Sequence, residues 1–400
     1  MNDVTLGDGL EVLIDYRGKT PAKLGSAFTD SGVPVASALL VKAGRLDLGE
    51  ARFVDAETAA RWMSIPTARG DVLLTSEAPL GRVARVPSDD PVVLGQRIFG
   101  LRGKRGVLDT GYLYYALQSD PVQASLRGHA TGTTVLGIRQ AALRTVRIPA
   151  PGWDEQRAIA EVLGALDDKI AANDRVVRNI ESLADAIFRR AQSAAVEPGV
   201  TTFGEIAEVS GGGTPSTRVP EYWDGGVRWA TPTDVTRLSA PYLSETSRTI
   251  TDAGLGACSS STYPPGSILM TSRATIGAFA LAQVPVAVNQ GFIVVNARKA
   301  RHQLWLFHDM RSRVPEFLTH ANGATFLELS RGRFKSINVA VPDDDRIDAF
   351  NETVRPLHDL AAQTVLESAA VATTRDELLP LLMSGKVQVR DAEKRVEEVL

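Results

Sequence analysis

Several short stretches of this chain carry side chains whose types and spacing suit contact with an anionic, hydrogen-bonding surface. In SGGGTPST, a glycine cluster leads into Thr214, Ser216 and Thr217, followed by Arg218. Backbone amides exposed by glycines, together with hydroxyls and a guanidinium, are groups that grip phosphate oxygens, so a polar, mobile loop beside a duplex is expected there. In TSRATIG, Thr271, Ser272 and Arg273 close a short apolar run. An arginine so placed could make a two-pronged contact with guanine. The related stretch TSEAPLG puts Thr75, Ser76 and Glu77 in the same places, with Arg82 just beyond, and a carboxylate at 77 could accept from a cytosine amino group. If both faced a groove, they would read different bases. The alternative is that Thr and Ser cap the following turn and Arg273 is a surface charge. SRGRFK supplies Arg331, Arg333 and Lys335, which suit phosphate contact and equally an ordinary exposed strand. Lys19 and Thr20, in YRGKTPAK, complete the candidates.

Catalytic motifs do not appear. There is no G-x-x-x-x-G-K-[ST], H-E-x-x-H or G-x-S-x-G, and no Asn-Pro-Pro or Asp-Pro-Pro tetrapeptide for gripping a flipped base. The glycine cluster runs into Thr-Pro and RVPEYWDGG, which cannot open a helix as a nucleotide-binding loop does. One cysteine, Cys258, and five scattered histidines leave no internal disulfide and no ligand spacing for a metal. No secretory signal and no long apolar run are evident, so a cytoplasmic protein is expected. The formal net charge of -3 argues against indiscriminate polyanion binding. The acids are unevenly placed, however. None lies between Asp252 and Asp309, where Arg273, Arg298, Lys299 and Arg301 stand, nor from Pro121 to Trp153, where Arg127, Arg139, Arg144 and Arg147 stand. These zones are buried strands with solvated edges or basic contact surfaces.

An internal repeat positions the candidates. GDVLLTSEAPLG (Gly70 to Gly81) aligns with GSILMTSRATIG (Gly266 to Gly277), LGQRIF around Gln96 with VNQGFI around Gln290, and HATGTTVLGI from His129 with HANGATFLEL from His320. Upstream, VTLGD resembles TTFGE, and Thr20-Pro21 matches Thr214-Pro215. Blocks in one order imply a duplicated domain of roughly 150 residues. Inside it, DVLLTS and SILMTS read as strands, and TGYLYYAL and RHQLWLFHDM as short helices.

Each copy ends at a proline, Pro151 or Pro342, and helical periodicity follows. Ile159, Leu163, Leu166, Ile170, Asn173, Val177, Ile180, Ala184 and Ile187 alternate four and three apart, the seam of a coiled coil. Asn173 on that seam either fixes register or is an end-exposed residue that tolerates its place. Ile347, Phe350, Val354 and Leu357 repeat the spacing, with a kink or break expected near Pro356. The boundaries expected are a domain over 1–151, a helix over 152–195, a domain over 196–342, a helix over 343–390 and a tail over 391–400. Pairing the helices antiparallel buries both seams. At about 1.5 Å per residue the first helix would be roughly 55 to 60 Å long, more than one duplex turn of about 34 Å.

With these blocks in view, the chain resembles the specificity subunits of type I restriction-modification systems. The resemblance rests on GGTPSTRVPEYWDGGVRWATPTDV, on SRATIG followed by VNQGF, on DEQRAIAEVLGALDDKIAAN and on LLPLLMSGKV. The first domain departs from it, with Glu77 for the arginine and YRGKTPAK for the glycine run. It implies an α/β chain with two duplicated mixed α/β target-recognition domains separated by two long helices forming an antiparallel coiled coil. It further implies a non-catalytic subunit reading a bipartite site on double-stranded DNA, one half per domain. Two methyltransferase subunits, carrying S-adenosylmethionine and modifying adenine, would dock on it, with restriction and translocation subunits in a complete complex. A protein-binding adaptor with two related domains is the alternative.

Overall fold

The computed structural model describes residues 2–42, 44–132, 134–193, 199–323 and 327–400. The boundary expected at 195/196 lies outside them, as do Thr133 and residues 324–326 of the third repeated block. The chain forms two compact units, Met1–Lys169 with Ala370–Leu400, and Ile170–Ala369.

In the first unit, the described strands of the main sheet run in the order Leu10–Ile14, Ile98–Gly103, Val72–Thr75, Val83–Arg85, Gly44–Leu46, Val41–Lys42. In the second the order is Ala207–Ser210, Phe292–Ala297, Ile268–Thr271, Phe279–Ala282, Tyr242–Leu243. Val72–Thr75 and Ile268–Thr271 are buried at every residue, because a central strand covered on both faces needs a continuous apolar run. The repeat extends to register: Thr75 stands opposite Ile98, and Thr271 opposite Phe292. A smaller sheet flanks each main one, with Val33–Ala36 parallel to Val93–Leu94 in the first unit and Trp223–Ala230 parallel to Ala287–Val288 in the second.

Two long helices, Trp153–Ser193 and Asp344–Met383, follow the two sheets. Each opens with acidic residues, which favour the positive end of a helix dipole. Gln156, buried, pins the start of the first to the sheet domain by donating to the Val107 and Pro151 carbonyls and accepting from the Asp109 amide. In the first unit Arg375 donates to Asp167 at 2.7 Å, and Tyr115 donates to the same carboxylate. In the second, Asn173, 6% exposed, donates to Glu367 at 2.8 Å. Within that unit the contacts run from Asn173–Glu367 to Phe188–Phe350, so as one helix advances the other recedes and the pair is antiparallel.

Of the expected seam, Ile159, Leu163, Leu166, Val177, Ile180, Ile347, Phe350 and Val354 are buried, whereas Ile170, Ile187 and Leu357 are half-buried. Phe188 takes the buried place expected for Ile187, its ring tilted against Trp305 and edge-to-face with Phe350. Here the helix packs on the sheet domain, where the ordinary 3.6-residue period replaces the 3.5 of a coiled-coil seam.

Four expectations are corrected. The helix runs unbroken through Pro356, because that residue and Glu352, whose carbonyl loses its partner, are exposed while Val354, His358 and Ala361 hold the buried face. It ends at Met383 rather than 390: Gly385 adopts φ +69°, and the Lys386 amide bonds the Leu381 carbonyl. The stretch expected as a tail belongs largely to a helix, Val389–Glu397, which buries Ala392 and Val396. SRGRFK likewise forms a short helix, Arg331–Lys335, rather than a strand, since Ser330 accepts from the Arg333 amide and Phe334 is buried.

Candidate nucleic-acid interface

Both units build the same turn at the end of the central strand. Thr75 donates to the Pro79 carbonyl at 2.6 Å and accepts from the Arg82 amide at 2.8 Å. Thr271 donates to the Thr275 carbonyl and accepts from the Ala278 amide at 2.9 Å. Ala78 and Ala274 occupy positive φ, +48° and +60°, and Gly81 and Gly277 follow at +91° and +88°. Next to it, the Ser76 amide bonds the Arg97 carbonyl and the Ser272 amide the Gly291 carbonyl. The Ser76 carbonyl accepts from Ile138, and that of Ser272 from Leu329. Three segments distant in sequence therefore meet at one point in each unit.

This geometry removes four candidates from the surface. Thr75, Ser76, Thr271 and Ser272 are at most 3% exposed. The two threonine hydroxyls and the serine backbone groups are needed to close a tight turn that would otherwise bury unpaired polar atoms. Lys19 is also diverted: its ammonium donates to the Trp62 carbonyl at 2.6 Å and to that of Arg61. Thr20 is half-buried and accepts from the Lys23 amide. The glycines of SGGGTPST are buried, not displayed. A Cβ on Gly212 would sit 1.8 Å from the Val288 carbonyl oxygen, and one on Gly213 2.5 Å from the Ser259 hydroxyl. Glycine is required there for close backbone approach rather than for mobility.

The remaining candidates are on or near the surface. Glu77 pairs with Arg97 at 3.0 Å. Arg273 donates to Glu328 and to the Gln290 carbonyl, both at 3.0 Å. Each unit thus has one Arg–Glu pair at this point, with the two charges supplied by different segments. Arg82 is exposed, and so are Thr214, Ser216, Thr217 and Arg218 beyond the buried glycines. Arg331, Arg333 and Lys335 are exposed on their short helix, and Arg333 lies 3.0 Å from the His320 ring.

Some residues of this surface were not singled out from the sequence. In the first unit Arg17 and Arg97 join Glu77, Gln96 and Arg139 in lining a polar cavity of about 300 Å³. Val135 and Leu136, and Leu327 in the second unit, are exposed apolar residues in the adjoining loops. The available signal was the repeat itself, since Gln96 and Gln290 occupy matching blocks. Among the described residues, no group of three His, Cys, Asp or Glu could hold a metal ion, and no helix is long and apolar enough to cross a membrane.

A model of the type I restriction modification DNA specificity domain matches residues 2–182 and again 197–361, one match for each copy of the repeat. The chain belongs to that family. The chain is 36% identical over 143 residues to the MjaIX specificity subunit of Methanocaldococcus jannaschii, covering 35% of this chain and 33% of that protein. The matched stretch thus spans about a third of that relative's length. The HindI specificity subunit of Haemophilus influenzae is 21% identical over 398 residues, covering 80% of this chain and 87% of its own. The crystal structure of a type I restriction-modification S subunit from M. genitalium superposes over 95% of both chains with a TM-score of 0.60 at 16% identity, a likeness of fold.

Proposed function

We propose that this chain is the DNA-reading subunit of a type I restriction-modification complex, without a reaction of its own. The domains over 1–151 and 196–342 would each read one half of a bipartite site. The observation that carries the reading is the duplicated three-segment surface, identical in backbone pairing yet bearing Glu77, Arg97 and Arg139 in one unit and Arg273, Glu328 and Arg331 in the other. One scaffold with different donors and acceptors is what two different half-sites require. Arg82, Arg218, Arg333 and Lys335 serve phosphates, fixing register without sequence information. Adenine methyltransferase subunits would bind this chain and supply S-adenosylmethionine, with restriction subunits in a full complex, all in the cytoplasm.

Salt dependence of duplex binding tests the proposal. If about four phosphates are neutralised, affinity falls roughly a hundredfold between 50 and 200 mM salt. A flat dependence, or no duplex binding, favours the protein-binding adaptor.

A further inference from the structure

Gln96 and Gln290 occupy the same position in the two units, in the turn that leads from the parallel edge strand into the second strand of the main sheet, and both are exposed. We propose that their carboxamides are adenine-reading groups, one in each half-site, with Thr214 a positioning residue for Gln290. The proposal rests on the DNA-reading function above.

Three contacts hold Gln290. Arg273 donates to its carbonyl at 3.0 Å, the Asn289 side chain accepts from the next amide, that of Gly291, at 2.8 Å, and the Thr214 hydroxyl donates to its side-chain Oε1 at 2.6 Å. The last contact orients the carboxamide and leaves the Nε2 protons and one Oε1 lone pair unused. One donor beside one acceptor matches the adenine edge, where N7 accepts and N6 donates, and mismatches guanine, whose N7 and O6 both accept. A lone carboxamide on a surface is usually solvated. This one is fixed on a turn braced by three segments, which is the preorganisation that recognition needs. A cation stands close by: the Arg331 stem packs 3.1 Å from where a Gly211 Cβ would be, and that point is 2.9 Å from the Phe292 carbonyl.

Gln96 shares the backbone hydrogen bonding but neither the conformation of the following residue, Arg97 standing at φ +69°, nor the orienting group. Its side chain makes no hydrogen bond among the described residues, and Thr20, the counterpart of Thr214, accepts from Lys23 instead. Gln96 should therefore discriminate less sharply than Gln290.

The test uses the full chain in complex with its host's adenine methyltransferase subunits, selecting from duplexes with a randomised 20-base-pair segment. Wild type should select two half-sites, each containing an adenine. Gln290→Ala should lose the preference at that adenine in one half-site only, by on the order of ten- to a hundredfold. Gln96→Ala should do so in the other half-site by less, and Thr214→Val should weaken the Gln290 position without changing affinity for unselected DNA. Replacing the read adenine with 7-deazaadenine, which lacks N7, should weaken wild type at that position and leave Gln290→Ala indifferent. This arm also reads the contact on unmutated protein. Unchanged motifs in both glutamine variants, an equal loss on all sequences, or a wild type indifferent to 7-deazaadenine at every selected adenine would overturn the proposal while leaving a DNA reader. A wild type that selects nothing would overturn the DNA-reading function as well.

Discussion

Acidification should weaken the second unit through one buried histidine. Tyr242, His358, His308 and Asp185 form a chain of hydrogen bonds at 2.9, 2.9 and 2.7 Å, linking a strand, a short helix and both long helices. With Asp185 ionised, His308 donates from Nδ1, His358 donates from Nε2 to His308, and Tyr242 donates to His358, so both rings are neutral. Burial, then the neighbouring His308 and Arg311, push His358 down to about 3. A base whose folded pKa lies below its unfolded value of about 6.5 binds its proton more readily in the unfolded state. The stability this group leaves intact above pH 6.5 is therefore lost as pH falls toward 3. At pH 5 the loss is about 1.5 pH units at 1.36 kcal/mol each, or roughly 2 kcal/mol. Two neighbours titrate too. His308 is lowered by burial, partly offset by Asp185, and acts in the same direction. Asp309, raised to about 6 by burial against the pull of Arg313, acts oppositely, since the folded state gains a proton as pH falls through 6. Comparison with His358→Gln cancels the Asp309 contribution and isolates that of the hydrogen-bonded His358–His308 pair. Hydrogen exchange of the Phe292–Ala297 amides, corrected for intrinsic rates, reads the opening free energy. Between pH 7 and 5, wild type should lose about 2 kcal/mol more protection than the variant, roughly thirtyfold. Equal losses in the two proteins would refute the buried neutral chain.

Other perturbations follow from single contacts. Arg102 makes a two-pronged ion pair with Asp71, whose side chain is 2% exposed. Arg102→Met strands that carboxylate and should cost on the order of 3 kcal/mol, read as faster exchange in Val72–Thr75. Gly212→Ala forces a Cβ against the Val288 carbonyl and should make the second unit protease-sensitive, whereas Ser216→Ala, at an exposed position, should not. Arg273→Ala should relax preference at about one base pair, by about 1 to 3 kcal/mol, measured on duplexes varied at that position. An equal loss on every sequence would make Arg273 a phosphate contact.

The architecture was legible in the sequence where physical demands leave a periodic or repeated trace. Duplicated blocks became duplicated register, and the seam from Ile159 to Ile180 became a buried stripe except at Ile170. Hydroxyl-rich motifs were not legible in the same way. Thr75 and Thr271 have the chemistry of phosphate ligands, but the same hydroxyl equally closes a turn with Pro79 or Thr275, and composition does not distinguish them. Nor did the glycines of SGGGTPST announce that Gly212 avoids the carbonyl of Val288, 76 positions away. Pro356 was misread because its effect depends on which side of the helix faces solvent. Gln96 and Gln290 marked a repeated block but were not read as contact residues, because a single glutamine carries no pattern of its own; only the meeting of three segments gives it a place.

The most direct test of the central claim is to co-express the chain with its host's adenine methyltransferase subunits and map methylated adenines across the DNA by single-molecule sequencing. Two reading domains predict a split motif with a fixed gap of unspecified base pairs. Methylation confined to one short continuous motif, or none from a complex shown to assemble, would contradict it.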